Sequence, residues 1–318
     1  SRDVPPGYDY PSFIAMDQPR HSSQRKTVSP MFTPTHLDEL AKLIRARSQK
    51  VLDELPRNET FNFVERVSIE LTTGMLAKLF DFPWEERHKL TYWSDMGGNV
   101  ELMKTPEDFA LRNAALMEMG AAFGQLWQQK AANPGKDLIS VMLRSDAMSH
   151  MSEQEFMGNL ILLIVGGNDT TRNSMSAFAY GLSQFPEQRA KLEADPSLIP
   201  NAVQELIRWQ TPLAHMRRTV QEDTEIEGVQ MKKGDKVVMW YLSANRDESV
   251  FKDANKVIVD RENARRHLSF GYGIHRCVGA RVAELQLTTL LEELGKRRLR
   301  VNVVEEPERV ATCFVHGY

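Results

Sequence analysis

Cys277 is the residue around which the most specific chemistry of this sequence can be built. It stands in the stretch Phe270-Gly271-Tyr272-Gly273-Ile274-His275-Arg276-Cys277-Val278-Gly279, just ahead of a segment with helical spacing. A thiol ligates a metal as the thiolate, and a free cysteine has a pKa near ~8.5. The N-terminus of a helix lowers that value, because its dipole and its unsatisfied N–H groups stabilise negative charge. The same N–H groups can bond the sulfur and tune a metal held on it. Gly271, Gly273 and Gly279 allow positive φ and a close approach of the backbone to a flat ligand. His275 and Arg276 offer donors to anionic groups nearby. By itself such a cysteine reads as a small buried residue after a turn; the surrounding ten residues are what point further.

Three other groupings could carry chemistry. Gly166-Gly167-Asn168-Asp169-Thr170-Thr171 sits in the middle of an apolar helical stretch. Two glycines there cost roughly 1 kcal/mol each against alanine, so a break in the helix is expected. Asp169 next to Thr170 pairs an acid with a hydroxyl, a combination suited to passing protons through water. The plainer reading is a polar cluster capping a helix break. In Glu205-Leu206-Ile207-Arg208 the two charges share one helix face, which in isolation predicts a surface pair worth under ~1 kcal/mol. His21 and Arg25 lie one helical turn apart and could pair with carboxylates of a buried ligand.

The elements that must position these residues are mostly helical. The spacing predicts helices beginning at Thr33-Pro34, over 63–79, over 106–132, over 152–184 and over 202–210, and a last one over 278–296. The helix over 152–184 would run about 50 Å at 1.5 Å per residue. Between 224 and 241 the pattern changes. Glu225-Ile226-Glu227 and Val237-Val238-Met239-Trp240 flank the turn residues Lys233-Gly234-Asp235, predicting a short hairpin. No internal repeat or low-complexity tract appears, so a single domain over 1–318, mainly α with a small β part, is expected.

The cysteine stretch resembles the haem-binding signature of the cytochrome P-450 superfamily, Phe-x-x-Gly-x-His/Arg-x-Cys-x-Gly, with every fixed position filled. The glycine-rich centre of the long helix is similar to that superfamily's acid–alcohol motif. Leu163 to Met175, Thr211 to Thr219 and Ala264 to Gly271 are similar to the soluble bacterial medium-chain alkane hydroxylases. The resemblance implies haem b with Cys277 as the iron ligand, and Phe270, Gly271, Gly273 and Gly279 around it. It implies that His21, Arg25, Arg218 and His275 bind the haem propionates. Asp169 and Thr170 would serve oxygen activation, Asp169 relaying protons and Thr170 bonding the activated oxygen. Glu205, Arg208 and Arg261 would form a buried structural network. Leu162, Val165, Gly166, Leu213, Ala214, Met216 and Phe314 would line the substrate pocket.

The reaction implied is insertion of one oxygen atom of O2 into an aliphatic C–H bond, at the end of a medium-chain alkane or fatty chain, giving a primary alcohol. Electrons would come from NADH through an FAD reductase and a [2Fe-2S] ferredoxin. Arg265, Arg266, Arg276 and Arg281 offer a basic face on which an acidic ferredoxin could dock. Superfamily members extend further ahead of Ser1 and slightly beyond Tyr318, so the resemblance implies a fold lacking its N-terminal portion.

The composition narrows the alternatives. A net charge of −3 gives no nucleic-acid signature. The longest apolar run, Leu160 to Val165, is far short of the ~20 residues of a membrane span. Two cysteines, Cys277 and Cys313, make a disulfide framework improbable and favour a reducing cytoplasm. Three rival readings are a haem-thiolate isomerase or lyase, a haem gas sensor, and a helical scaffold without cofactor. Asp169-Thr170 counts against the first, the lack of an output domain against the second, and the cysteine stretch against the third.

Overall fold

A computed structural model describes residues 10–318; residues 1–9 of the domain expected over 1–318 lie outside it. The helices are α1 Arg20–Val28, α2 Pro34–Asp53, α3 Glu70–Phe80, α4 His88–Gly98, α5 Pro106–Ala132, α6 Leu138–Leu143, α7 Glu153–Gln184, α8 Pro186–Ala194, α9 Ile199–Gln210, α10 Tyr241–Ala244 and α11 Ala280–Lys296. The strands are β1 His215–Thr219, β2 Thr224–Ile226, β3 Val229–Met231 and β4 Lys236–Trp240. The fold is therefore mainly helical with a small β part. Among the described residues no helix is long and apolar enough to cross a membrane.

Local chemistry explains most boundaries. The hydroxyl of Ser152 accepts from the N–H of Glu155 and caps α7, and Thr105 caps α5 by accepting from Asp108. Pro34 and Pro106 occupy first turns, where their missing N–H costs nothing. The segment ahead of α3 is wound as a π-helix over Val64–Ile69, where a uniform helix was expected. α3 closes at Asp81 with φ of 51°, whose N–H reaches Ala77 and Lys78 oxygens, two residues before Pro83.

Two expectations are corrected. The long helix does not break at Gly166-Gly167-Asn168-Asp169; α7 is continuous from Glu153 to Gln184. The packing of α3, α4, α9 and α11 around it outweighs the propensity cost of the glycines. The strands also pair differently from the expected hairpin. β4 pairs antiparallel with β1, Met216 facing Met239, while β2 pairs with β3 around Glu227 and Gly228. The tight turn at Glu227-Gly228, with φ of 50° and 79°, takes β2 out of register with β4.

One buried charge network ties the C-terminal half together. Glu205, Arg208 and Arg261 are 0%, 0% and 7% exposed. Both Glu205 oxygens are engaged, by Arg208 at 2.7 and 2.8 Å and by Arg261 Nε at 3.0 Å. Arg208 also donates to the carbonyls of Asn245, Ala254 and Lys256. Arg261 donates to the carbonyl of Lys252. With the guanidinium donors spent on backbone oxygens, the pair is not the solvated surface contact that its spacing alone suggests. Glu205→Ala leaves two cations buried without their carboxylate. A loss of about 3–5 kcal/mol in urea unfolding is expected; a loss under ~1 kcal/mol would show that the network does not hold the fold.

Candidate functional site at the head of the last helix

The loop that carries Cys277 is fixed from both ends. Gly271 and Gly273 adopt φ of 68° and 72°, conformations that other residues rarely reach. The Cys277 N–H donates to the Phe270 carbonyl at 2.8 Å and closes the loop. Upstream, the Asn245 side chain is fully buried. It accepts from Leu268 N–H at 2.7 Å and donates to Ser269 Oγ at 2.9 Å, while the Asn245 carbonyl is held by Arg208. The charge network thus reaches the cysteine loop through one asparagine that carries no motif signal.

His267 adds a second anchor. Its Nδ1 accepts from Ser269 N–H at 3.2 Å, so its proton sits on Nε2, 3.1 Å from Gln204 Oε1. Burial pushes its pKa down to about 4, and the guanidinium of Arg208 adds to this.

Cys277 lies three residues ahead of α11, with Gly279 at the N-cap. Its surface opens on a cavity of about 220 Å³, while protein otherwise surrounds the thiol closely. Burial pushes its pKa up. The N–H groups of Gly279 and Ala280 and the charges of Arg25 and Arg276 pull it the other way.

One end of the same cavity gathers basic side chains. His21, Arg25, Arg218 and His275 all line it, and among the described residues no aspartate or glutamate does. His21 is 1% exposed and, among the described residues, neither ring nitrogen has a partner; Nδ1 of His275 is likewise buried and unpaired there. The two rings lie 4.2 Å apart. Arg25 donates to the Arg276 carbonyl at 2.5 Å. Buried donors without acceptors are costly, so this end is built to receive a ligand with anionic groups. Among the described residues no three His, Cys, Asp or Glu side chains cluster to hold a metal. Cys277 suits a metal that brings its other ligands with it. A flat, doubly carboxylated macrocycle such as haem fits both features.

α7 forms the facing wall. Thr170 lines the cavity and donates its hydroxyl to the Gly166 carbonyl at 2.9 Å. Asp169 points elsewhere, into the contact with α4. There it accepts from Ser94 Oγ at 2.8 Å, from Asn168 at 3.2 Å and from Arg172 at 3.2 Å. Burial raises its pKa, against the opposing charge of Arg172. Arg172 also bonds half-exposed Asp95 at 2.8 Å. A Cβ on Gly98 would stand 2.8 Å from Asp169 Oδ2, so that glycine permits the close approach of α4.

The expected pocket residues separate. Leu162, Gly166, Leu213 and Met216 line the cavity, as do Phe270, Gly271 and Gly279. Val165, Ala214, Phe314 and Gly273 do not. Val165 turns toward Gly97 and Gly98 of α4. Ala214 is buried in a backbone pairing with Phe314, whose ring packs on His215 at 5.7 Å. Gly273 shapes the loop without lining the cavity. Met75, Leu76 and Leu79 of α3, together with Phe13 and Ile14, complete the walls. Nothing local in the sequence separated them from ordinary core residues.

His267 predicts a pH dependence of stability. Its folded pKa lies below its unfolded value of ~6.5, so the unfolded chain takes the proton first. Stability contributed by the neutral ring is complete above pH ~6.5. It is lost as pH falls toward 4, by roughly 3 kcal/mol in total. Urea titrations across that range should show this slope, and His267→Gln should flatten it; an equal slope in the variant would place the effect elsewhere.

Comparison with known proteins follows the same lines. A sequence profile of the family described as Cytochrome P450 matches residues 115–297. Linalool 8-monooxygenase of Pseudomonas putida is 37% identical over 309 residues, covering 96% of this chain and 75% of that protein. The methyl-branched lipid omega-hydroxylase of Mycobacterium tuberculosis is 32% identical over 315 residues, covering 96% and 73%. The structure of Cytochrome P450-153 from Novosphingobium aromaticivorans superposes with a TM-score of 0.94 at 58% identity, over 100% of this chain and 79% of that one.

Proposed function

The chain belongs to the cytochrome P450 family, and from that premise we propose that it is a haem-thiolate monooxygenase hydroxylating the terminal carbon of medium-chain alkanes or fatty chains. The observation that carries this reading is the cavity shared by an open thiol, two arginines and two histidines with unpaired ring nitrogens among the described residues, and the hydroxyl of Thr170. Cys277 would hold haem there as a thiolate ligand, and that group would supply the activation of O2.

The protein's own residues then divide the work. His21, Arg25, Arg218 and His275 would bind the two propionates, ending the unpaired state of the buried rings. Gly271 and Gly279 would leave a macrocycle room beside the loop, and Phe270 would pack against it. N–H groups of Gly279 and Ala280 hold the sulfur and set how strongly it donates. Thr170 Oγ lies on the cavity and would offer its hydroxyl to the oxygen substrate in place of the Gly166 carbonyl it now bonds. Asp169 stands behind it, its pKa raised by burial. Arg172 bridges Asp169 to half-exposed Asp95 and so holds that carboxyl in place. Leu162, Leu213, Met216 and Leu79 give the substrate walls without charge, which favours an aliphatic chain. Terminal C–H bonds are the strongest of an alkane, so selectivity for the end depends on presenting that end alone. The omega position named for the mycobacterial relative and the likeness to Cytochrome P450-153 support this choice.

Electrons are proposed to arrive from NADH through an FAD reductase and a [2Fe-2S] ferredoxin. Arg265, Arg266, Arg276 and Arg281 are all exposed, and among the described residues none is ion-paired. Free cations beside the cysteine loop suit an acidic partner.

Two measurements test these proposals. Reduced, haem-loaded protein exposed to carbon monoxide should show the Soret shift typical of thiolate ligation. Supplied with a surrogate ferredoxin and reductase, it should turn octane into 1-octanol, and Thr170→Ala should consume reductant with less product. A histidine-type spectrum would remove the thiolate assignment, and predominant secondary alcohols would remove the terminal one. Separately, Arg281→Glu should slow electron transfer from an acidic ferredoxin at low salt; an unchanged rate would move the docking face elsewhere.

A further inference from the structure

A second cavity of about 520 Å³ lies between α2 and α3, outside the site described above. Its size falls within the ~300–1,000 Å³ typical of small-molecule sites. The walls are apolar, from Leu43, Ile44, Leu71, Met75, Met175 and Trp84. The rim carries Arg47, Lys50 and Lys78 against one acid, Asp81, which is already engaged by Lys130. Lys78 is exposed and, among the described residues, makes no ion pair. Trp84 is 43% exposed and is held between the guanidinium groups of Arg47 and Arg87, 5.0 and 4.5 Å from its ring. Both arginines are anchored on Glu70, so the aromatic wall is rigid.

The floor is not closed by the protein's own polar groups. Ser48 is fully buried and, among the described residues, its hydroxyl has no partner. Gln286 is 3% exposed and has no hydrogen bond among the described residues. Met75 and Gln286 line both this cavity and the central one. The two spaces therefore share a wall of two side chains.

We propose that this outer groove binds an aliphatic carboxylate, its head at Lys78 and Arg47 and its chain across Trp84 and Leu43 to the Met75–Gln286 wall. Charge complementarity selects the anion. Apolar walls select the chain, and the few polar groups in them supply orientation. Binding here is independent of the catalytic reading, since neither Cys277 nor Thr170 takes part. Because the wall is shared, a chain pressed against Met75 narrows the central cavity from behind.

Photolabelling of the haem-loaded protein tests this directly. The probe is dodecanoate with a diazirine in mid-chain, compared with the matching dodecanol probe. Labelled peptides are mapped by mass spectrometry. The acid should label residues 43–50 and 71–84, and the alcohol should label them weakly. Lys78→Glu should lower that labelling about fivefold, the size of one exposed ion pair. Ala46→Trp, at an exposed position on the groove, should abolish it by filling the space. Both variants should melt with the wild type and keep whatever labelling falls on Leu213 and Met216 in the central cavity. Absence of label on 43–50 and 71–84 in the wild type would overturn the site. Equal labelling by the alcohol, or no change in either variant, would overturn the carboxylate assignment. Labels on the central cavity report on the catalytic reading alone, so the two can fail separately.

Discussion

The buried carboxylate of Glu205 and the two guanidinium groups on it are the constraint from which the site follows. Taking three charges out of water is expensive, and the attraction among them only offsets that cost when every donor is used. Here the spare donors of Arg208 and Arg261 go to carbonyls of the irregular stretch between Asn245 and Lys256. That stretch has little regular structure to satisfy its own backbone, so the arginines do what a helix or sheet would otherwise do. The benefit is a fixed position more than added stability. Asn245, pinned through its carbonyl, holds Leu268 and Ser269, and the loop ending at Cys277 starts from there.

Across the cavity the same logic appears in a second form. α7 is an unbroken helix through a glycine-rich centre, because packing against α3, α4, α9 and α11 outweighs local propensity. Within it the two polar residues are divided between faces. Thr170 looks into the cavity. Asp169 looks into the α4 contact, where Ser94, Asn168 and Arg172 all donate to its Oδ1. Adjacent residues on a helix point about 100° apart, so the acid can sit in the helix contact while the hydroxyl beside it lines the cavity. The ion pairs of Arg172 with Asp169 and Asp95 hold that carboxyl there.

The central cavity is also strongly polarised. Among the described residues one end gathers histidines and arginines without a carboxylate, and two of its rings have buried, unpaired nitrogens. The rest of its lining is aliphatic. A protein does not ordinarily keep such donors unsatisfied, and the contrast between its two ends orients whatever enters. A ligand with paired carboxylates and a flat apolar body matches one part, and an uncharged chain the other.

What the sequence determined by itself was the local chemistry and its class. The spacing around Cys277, the capping residues Ser152 and Thr105, and the prolines at helix starts are short-range signals, and short-range physics reads them. The helical architecture and the family were legible for that reason. What only the tertiary structure decided were the questions of side and partner. Whether Glu205 and Arg208 were surface or core depended on Asn245, Ala254 and Lys256 arriving from far along the chain. Val165 and Phe314 turned away from the cavity, and Met75, Leu76 and Leu79 turned toward it, because helix packing sets which face is inside. The strands pair β1 with β4, while the turn at Glu227-Gly228 joins β2 to β3 as a separate hairpin. Such choices belong to contacts between distant segments, and no window of sequence contains both halves of them.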